Sequence, residues 1–281
     1  MRTEAAGRLA GGAVEALTGW FRPRRPLVAV VPMHGAVIAG GRIGRTFDDE
    51  HMAPIFERAF SLRGACALAL SVNCPGGSAT QSAMIAARIR RLSAEKKVPV
   101  IAFCADVAAS GGYWLACAAD EIYADASSIV GSIGVIAASF GLHDAIARLG
   151  IERRVHTAGE MKSFWDPFRP EQDRDVARLH RLQDRIHHQF VEWVKARRGA
   201  RLAPDPDLFN GEFWVGEEAL GLGLVDGVGH LVPTMRARFG EKVRFRVFTR
   251  KRRLVERLGL PGAGAVADEI AVRGLYARFG I

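Results

Sequence analysis

Apolar and polar positions alternate along this chain in blocks that predict a strand–turn–helix rhythm. Residues 27–31 form a short apolar run, which predicts a buried strand. Residues 48–62 predict a helix with Met52, Ile55, Phe56 and Ala59 on one side. Residues 65–72, apolar but for Ser71, predict a buried strand and lead into the sharp turn Asn73-Cys74-Pro75-Gly76-Gly77. Ser78 then suits the N-cap of a helix running to about Ala94. Residues 98–104 predict another strand, ending in the small-residue turn Ala108-Ala109-Ser110-Gly111-Gly112. A helix over 113–118 and a strand over 121–124 follow. Strands separated by helices require crossover connections, so the expected class is α/β with a largely parallel sheet.

The second half is more helical. Residues 170–198 predict one long helix with Leu179, Leu182, Ile186, Phe190, Val191 and Val194 as its apolar stripe. Pro204-Asp205-Pro206 breaks the chain. A short helix near 217–220, a turn at Asp226-Gly227 and a helix from about Leu231 come after it. The expected organisation is a catalytic domain over 27–249, a basic amphipathic extension over 1–26 and a basic, helical tail over 250–281. In the first extension Leu9, Ala13, Leu17, Trp20 and Phe21 recur near helical spacing, followed by Arg22, Arg24 and Arg25. That pattern fits a membrane-surface anchor and, equally, a helix packed on the body or on a partner subunit. The most membrane-like window, 98–119, contains Pro99, Asp106 and Ser110-Gly111-Gly112, so a strand, turn and helix account for it better than a span.

Composition narrows the class. The 281 residues are 49% hydrophobic, enough to bury one sizeable core. The net charge of +9 is concentrated partly at the ends, where Arg250, Lys251, Arg252 and Arg253 form a second basic group. No aromatic-rich basic stripe accompanies it, so nucleic acid is not an expected partner. The four cysteines, Cys66, Cys74, Cys104 and Cys117, show no CxxC spacing. Cys66, Cys104 and Cys117 lie in apolar runs and read as core residues, which fits a reducing compartment. The expected location is cytoplasmic, peripheral at the inner face of the cell membrane if residues 1–26 anchor there.

Ser110 follows a predicted buried strand and opens a helix, amid small neighbours. A helix start offers unpaired N–H groups, which suits a nucleophile whose product carries an oxyanion. The plainer reading, an N-cap serine, is the commoner use of such a residue. Gly76 and Gly77 allow successive N–H groups to point at a ligand oxygen, or simply make a turn. None of the eight histidines sits in a recognisable catalytic motif, and His180, His187 and His188 are expected to be solvated on the long helix. A lysine can act as the base when burial lowers its pKa. Lys162, between Met161 and Phe164-Trp165, has apolar neighbours, although local sequence alone favours a snorkelling lysine at a loop edge.

Four segments in one order give these residues a context. Asn73-Cys74-Pro75-Gly76-Gly77, Ala109-Ser110-Gly111-Gly112-Tyr113, Gly131-Ser132-Ile133-Gly134-Val135 and Gly159-Glu160-Met161-Lys162-Ser163 resemble signal peptide peptidase A and its relatives, the S49 peptidases. Trp214-Val215-Gly216-Glu217-Glu218-Ala219 and Gly223-Leu224-Val225-Asp226 look like that family's C-terminal half. The resemblance covers about residues 27–235. It implies a ClpP/crotonase-like α/β spiral of ββα units and a homo-oligomer whose sites neighbouring subunits can complete. It also implies Ser110 as nucleophile, Lys162 as general base and Ser132 as the residue orienting the lysine. Backbone N–H groups of Gly76, Gly77 and Gly111 would then form the oxyanion hole. Cys74 stands where the family usually has serine, and Met161 where an aromatic residue or histidine is common.

The expected activity is hydrolysis of peptides, such as cleaved signal peptides or membrane-associated peptides, with no metal or nucleotide cofactor needed. Gly262-Ala263-Gly264 resembles part of a dinucleotide loop but lacks a preceding strand. The competing readings are an acyl-CoA hydratase or isomerase on a similar spiral, which would need acidic catalytic residues, and a non-catalytic membrane-associated scaffold. A Clp-type Ser-His-Asp peptidase is weakened by the absent histidine motif.

Overall fold

A computed structural model describes residues 25–40, 46–249 and 263–280. Most of residues 1–26, including the expected surface helix, and the basic group Arg250–Arg253 lie outside the described residues.

The main sheet runs β10-β1-β4-β5-β6-β9, with every one of these pairings parallel. Its strands are β1 (Leu27–His34), β4 (Ala65–Cys74), β5 (Val100–Ala109), β6 (Glu121–Ala124), β9 (Gly227–Val228) and β10 (Arg244–Val247). Both faces are covered by other elements, which is why Ala65–Leu70 of β4 and Val100–Cys104 of β5 are apolar at successive positions rather than alternating. Two further short strands, β2 (Ala36–Val37) and β3 (Thr46–Phe47), pair with each other.

Helix α1 (Asp49–Phe60) starts at Asp48, whose carboxylate accepts from the His51 N–H, and buries Met52, Ile55, Phe56 and Ala59 as the sequence pattern requires. Helix α2 (Ala79–Lys96) starts at Ser78, whose hydroxyl accepts from Gln81 N–H. The two helices pack side by side, with Arg88 of α2 forking onto Asp49 at 2.7 and 2.8 Å. Helix α3 (Gly111–Ala116) is buried at all six residues, with Tyr113 fully enclosed and its hydroxyl donating to the Leu224 carbonyl at 2.7 Å. After β7 (Ile129–Gly131) come a short helix α4 (His143–Arg148) and the long helix α5 (Asp173–Arg198). The chain continues through β8 (Phe213–Val215), α6 (Gly216–Gly221), α7 (Leu231–Phe239) and α8 (Ala263–Ala277).

Strand β5 extends five residues beyond the expected end at Cys104, to Ala109. Its first part pairs with β6 and its last three residues pair with β7, a strand the sequence pattern did not reveal. Strand β8 then runs antiparallel to β7. The cysteines are all free; Cys74, Cys104 and Cys117 are buried, whereas Cys66 is only half-buried. Burial pushes the Cys104 and Cys117 thiols up to about 12, so both behave as small apolar side chains. Among the described residues no helix is long and apolar enough to cross a membrane.

Candidate active site

Ser110 lies in the single-residue link between β5 and α3. Strand β5 is held on both sides there, by Cys74↔Ala108 in β4 and Ala109↔Gly131 in β7. The helix begins at the next residue, so the chain must reverse within one amino acid. Ser110 therefore adopts φ 52, ψ −122, in the left-handed half of backbone space that costs an L residue about 1–3 kcal/mol. Its N–H donates to the Gly131 carbonyl at 2.8 Å, and its own carbonyl accepts from Trp114 N–H at 2.9 Å. The buried helix behind it holds this strained link in place. The hydroxyl makes no capping hydrogen bond. Ser110 thus occupies the N-cap position without its side chain serving as a cap.

The glycine turn after β4 packs directly on this link. Gly76 and Gly77 have φ values of 111° and 133°, where a side chain is strained. A Cβ on Gly76 would lie 2.7 Å from Ser110 Cβ and 3.0 Å from Gly111 N. A Cβ on Gly111 would lie 3.3 Å from Gly77 N. The absence of side chains is thus what lets the two turns meet backbone to backbone beside the Ser110 hydroxyl. The N–H groups of Gly77 and Gly111 meet no acceptor among the described residues. Strand β2 braces the turn, with Val37 N–H donating to Gly76 O and Ser78 N–H donating to Val37 O, each at 2.8 Å.

Ser132 comes beside Ser110 through sheet register. Ala109 pairs with Gly131, so Ser110 and Ser132 are the next residues at the ends of adjacent strands. Ser132 is buried, has φ 53, and is fixed by its N–H to the Glu212 carbonyl at 2.7 Å. His187 was expected to be solvated. It is instead half-buried, 3.1 Å from the Ile133 carbonyl, so α5 is tied to the segment after Ser132.

Lys162 stands apart. It lies in a turn, with its N–H donating to Gly159 O at 3.2 Å, and its side chain is exposed. No hydrogen bond joins it to Ser110 among the described residues, and it does not line the pocket at Ser110. Among the described residues nothing encloses its side chain. Asp175, buried in the first turn of α5, accepts from the Trp165 N–H at 3.2 Å and from Arg169, anchoring the end of the lysine segment. The preceding stretch exposes Ile136, Phe140, Leu149 and Ile151; Phe140 is 83% accessible. The N-terminal half of the α5 stripe is only partly covered, with Leu182 exposed and Leu179 and Ile186 half-buried, whereas Phe190 and Val194 are buried.

Residues 93–238, just over half of the chain, match the model for peptidase family S49. The chain belongs to that family. Ser110, Ser132 and Lys162 all fall within the matched stretch, while Gly76 and Gly77 precede it. Over 261 residues, 92% of its length, the S49 chain is 45% identical to a Brucella melitensis protein named Na(+)/H(+) antiporter NhaA, of which it covers 35%. It is 32% identical to protease 4 of Haemophilus influenzae over 205 residues, 72% of this chain and 32% of that protein. It is 30% identical to the chloroplastic serine protease SPPA of Arabidopsis thaliana over 166 residues, 58% of this chain and 24% of that protein. The chain thus spans only about a quarter to a third of the length of these relatives. A solved mutant of the 1510-N membrane-bound stomatin-specific protease, in complex with a substrate peptide, superposes with a TM-score of 0.52 over 88% of this chain and 99% of that one, at 15% identity. That likeness establishes the fold, and the expected ClpP/crotonase-like α/β spiral is the fold found.

Proposed function

We propose that this chain is the catalytic part of a serine peptidase in which Ser110 attacks the peptide and Lys162 serves as base from a neighbouring copy of the chain. The observation that carries the reading is the strained Ser110 link, whose hydroxyl is not spent on capping and which lies against two unpaired glycine N–H groups. Family membership supports the same chemistry, and the acyl-CoA hydratase or isomerase reading is not favoured.

In the proposed reaction, neutral Lys162 Nζ accepts the proton of Ser110 Oγ as Oγ bonds to the scissile carbonyl carbon. The carbonyl oxygen becomes an oxyanion facing the N–H groups of Gly77 and Gly111, with Gly76 shaping their turn. Collapse breaks the C–N bond, and the Lys162 ammonium returns the proton to the departing amine. Water then attacks the acyl-enzyme, again giving its proton to Lys162, and Ser110 is regenerated. Ser132 orients the lysine. The small residues around Ser110 favour an extended peptide with small or apolar side chains; a cleaved signal peptide has that character.

Two facts support supply of Lys162 in trans. The lysine is exposed and is not among the residues lining the Ser110 pocket of its own chain, and the segment leading to it presents apolar side chains to solvent. Covering such a patch with another copy would bury apolar surface and at the same time desolvate the amine.

Mixing two inactive variants tests this. Ser110→Ala and Lys162→Ala should each abolish cleavage of fluorogenic peptides. If each site takes its serine from one copy and its lysine from the next, random mixing pairs two intact residues at about one site in four. The mixture should then recover about a quarter of the unmodified activity. Full activity in Ser110→Ala would overturn the peptidase assignment; an inactive mixture, from copies shown by light scattering to exchange, would place both residues in one chain.

A further inference from the structure

The tail after residue 250 reads in the sequence as an appendage, yet α8 ends at the Ser110 pocket. Phe279 is 8% accessible and packs on Val107 and Ala109, the residues leading into Ser110. Its ring meets Phe213 edge-on with centroids 5.3 Å apart. Tyr276 donates its hydroxyl proton to the Asn73 carbonyl at 2.8 Å, on the strand leading to the glycine turn. The end of the tail is thereby pinned to both strands that carry the proposed machinery.

Next to these anchors, Leu275 and Arg278 line a pocket of about 370 Å³ together with Ser110 and Gly77. That volume suits one or two side chains of a peptide rather than a large ligand. Its walls are mostly apolar, from Trp114, Val135, Ile136, Ile186 and Phe190, with Trp114 and Phe190 stacked at 4.7 Å. Arg278 is the one charged side chain among the lining residues. Its guanidinium lies 5.8 Å from the Phe279 ring centroid, and no carboxylate among the described residues pairs with it.

We propose that the end of α8 is a specificity wall of this pocket, and that Arg278 selects peptides carrying a carboxylate next to an apolar side chain. The inference rests on the peptide-binding reading of Ser110 given above. An apolar pocket accepts many side chains with little discrimination. A single guanidinium at its edge adds a directional, two-pronged contact that the carboxylate of a peptide can satisfy and a neutral side chain cannot match. The carboxylate can be a glutamate or aspartate side chain or the free C-terminus of the peptide.

Binding, rather than turnover, separates this inference from the assignment of catalysis. The full chain carrying Ser110→Ala would be titrated with labelled peptides sharing one apolar core. One pair differs by internal Glu against Gln, the other by C-terminal acid against amide. At least one acid should bind about tenfold more tightly than its neutral twin, a difference of about 1.4 kcal/mol. Adding Arg278→Gln should bring that ratio to about one. The pair that shows the preference identifies the source of the carboxylate. Thermal unfolding checks that the exposed Arg278 position tolerates the change. Equal binding of acid and neutral twins overturns the inference, as does a preference that survives Arg278→Gln or a failure of all four peptides to bind. Cleavage of a neutral peptide by the unmodified chain is scored separately and bears only on the peptidase assignment.

Discussion

Arg198, the last residue of α5, is only 3% accessible, so replacing it with methionine probes the tie between that helix and the sheet. Its guanidinium reaches Asp226 at 2.7 and 3.1 Å, and its Nε donates to the Gly223 carbonyl at 2.8 Å. Asp226 also accepts from Ile122 N–H at 2.7 Å and from Arg201 at 3.1 Å. Removing one partner of a buried ion pair costs about 3–5 kcal/mol, because the other charge stays behind. Arg201, nearly half exposed, remains to hold one carboxylate oxygen, which puts Arg198→Met near the lower end, about 3 kcal/mol. Against a total stability of about 5–15 kcal/mol that is a large fraction. Urea unfolding at neutral pH measures it. A loss below about 1 kcal/mol would refute the reasoning, since Arg201 and water would then be replacing the buried pair in full.

The same pair sets an acid dependence. Burial alone would raise the Asp226 carboxyl, but the Arg198 hydrogen bonds and charge, with the Ile122 N–H, outweigh it and hold the group below its ordinary value of 3.8. A carboxyl with a lower pKa folded than unfolded contributes stability that is present above pH 3.8 and is lost as the pH falls below it. Arg198→Met should therefore lose less stability on acidification than the parent, and the two unfolding curves should approach one another as the pH falls below 3.8.

Two further substitutions test the packing around Ser110. A Cβ at Gly77 would lie 2.2 Å from the Val37 carbonyl oxygen at φ 133, so Gly77→Ala must push β2 off the turn. Strain of about 1–3 kcal/mol, plus about 1 kcal/mol for each of two weakened hydrogen bonds, predicts a loss of roughly 3–5 kcal/mol in chemical denaturation; an unchanged midpoint would mean the turn is not braced by β2. Tyr113→Phe keeps the ring but orphans the Leu224 carbonyl, and should cost about 1–3 kcal/mol, a few degrees in thermal unfolding. A variant as stable as the parent would show that water replaces the hydroxyl.

The spacing of apolar runs and glycine turns was enough to specify β1, β4, the first part of β5, α1, α2 and α3, because burial and tight reversal leave local traces. A continuous apolar run is what a two-sided sheet requires, and Pro75-Gly76-Gly77 and Gly111-Gly112 are what close backbone approach requires. The ordered segments also identified the family. Strands β7, β8 and β10 left no such trace. They are three or four residues long, too short to show a period, and they exist because a neighbouring edge is there to pair with. The conformation of Ser110 belongs to the same class: its sequence favours a helix cap, and only the clamp of β4 and β7 on β5 forces the backbone to φ 52 and leaves the hydroxyl unspent. Lys162 and the tail show opposite outcomes of tertiary placement. Local sequence reads Lys162 as an edge lysine, and within its own chain it is exposed, although the family resemblance asks for a base; a tail with no motif reads as an appendage, yet Tyr276 and Phe279 bring Arg278 to the pocket. Local sequence encodes which residues seek burial or permit a turn, while the partner each one meets depends on contacts far apart in the chain.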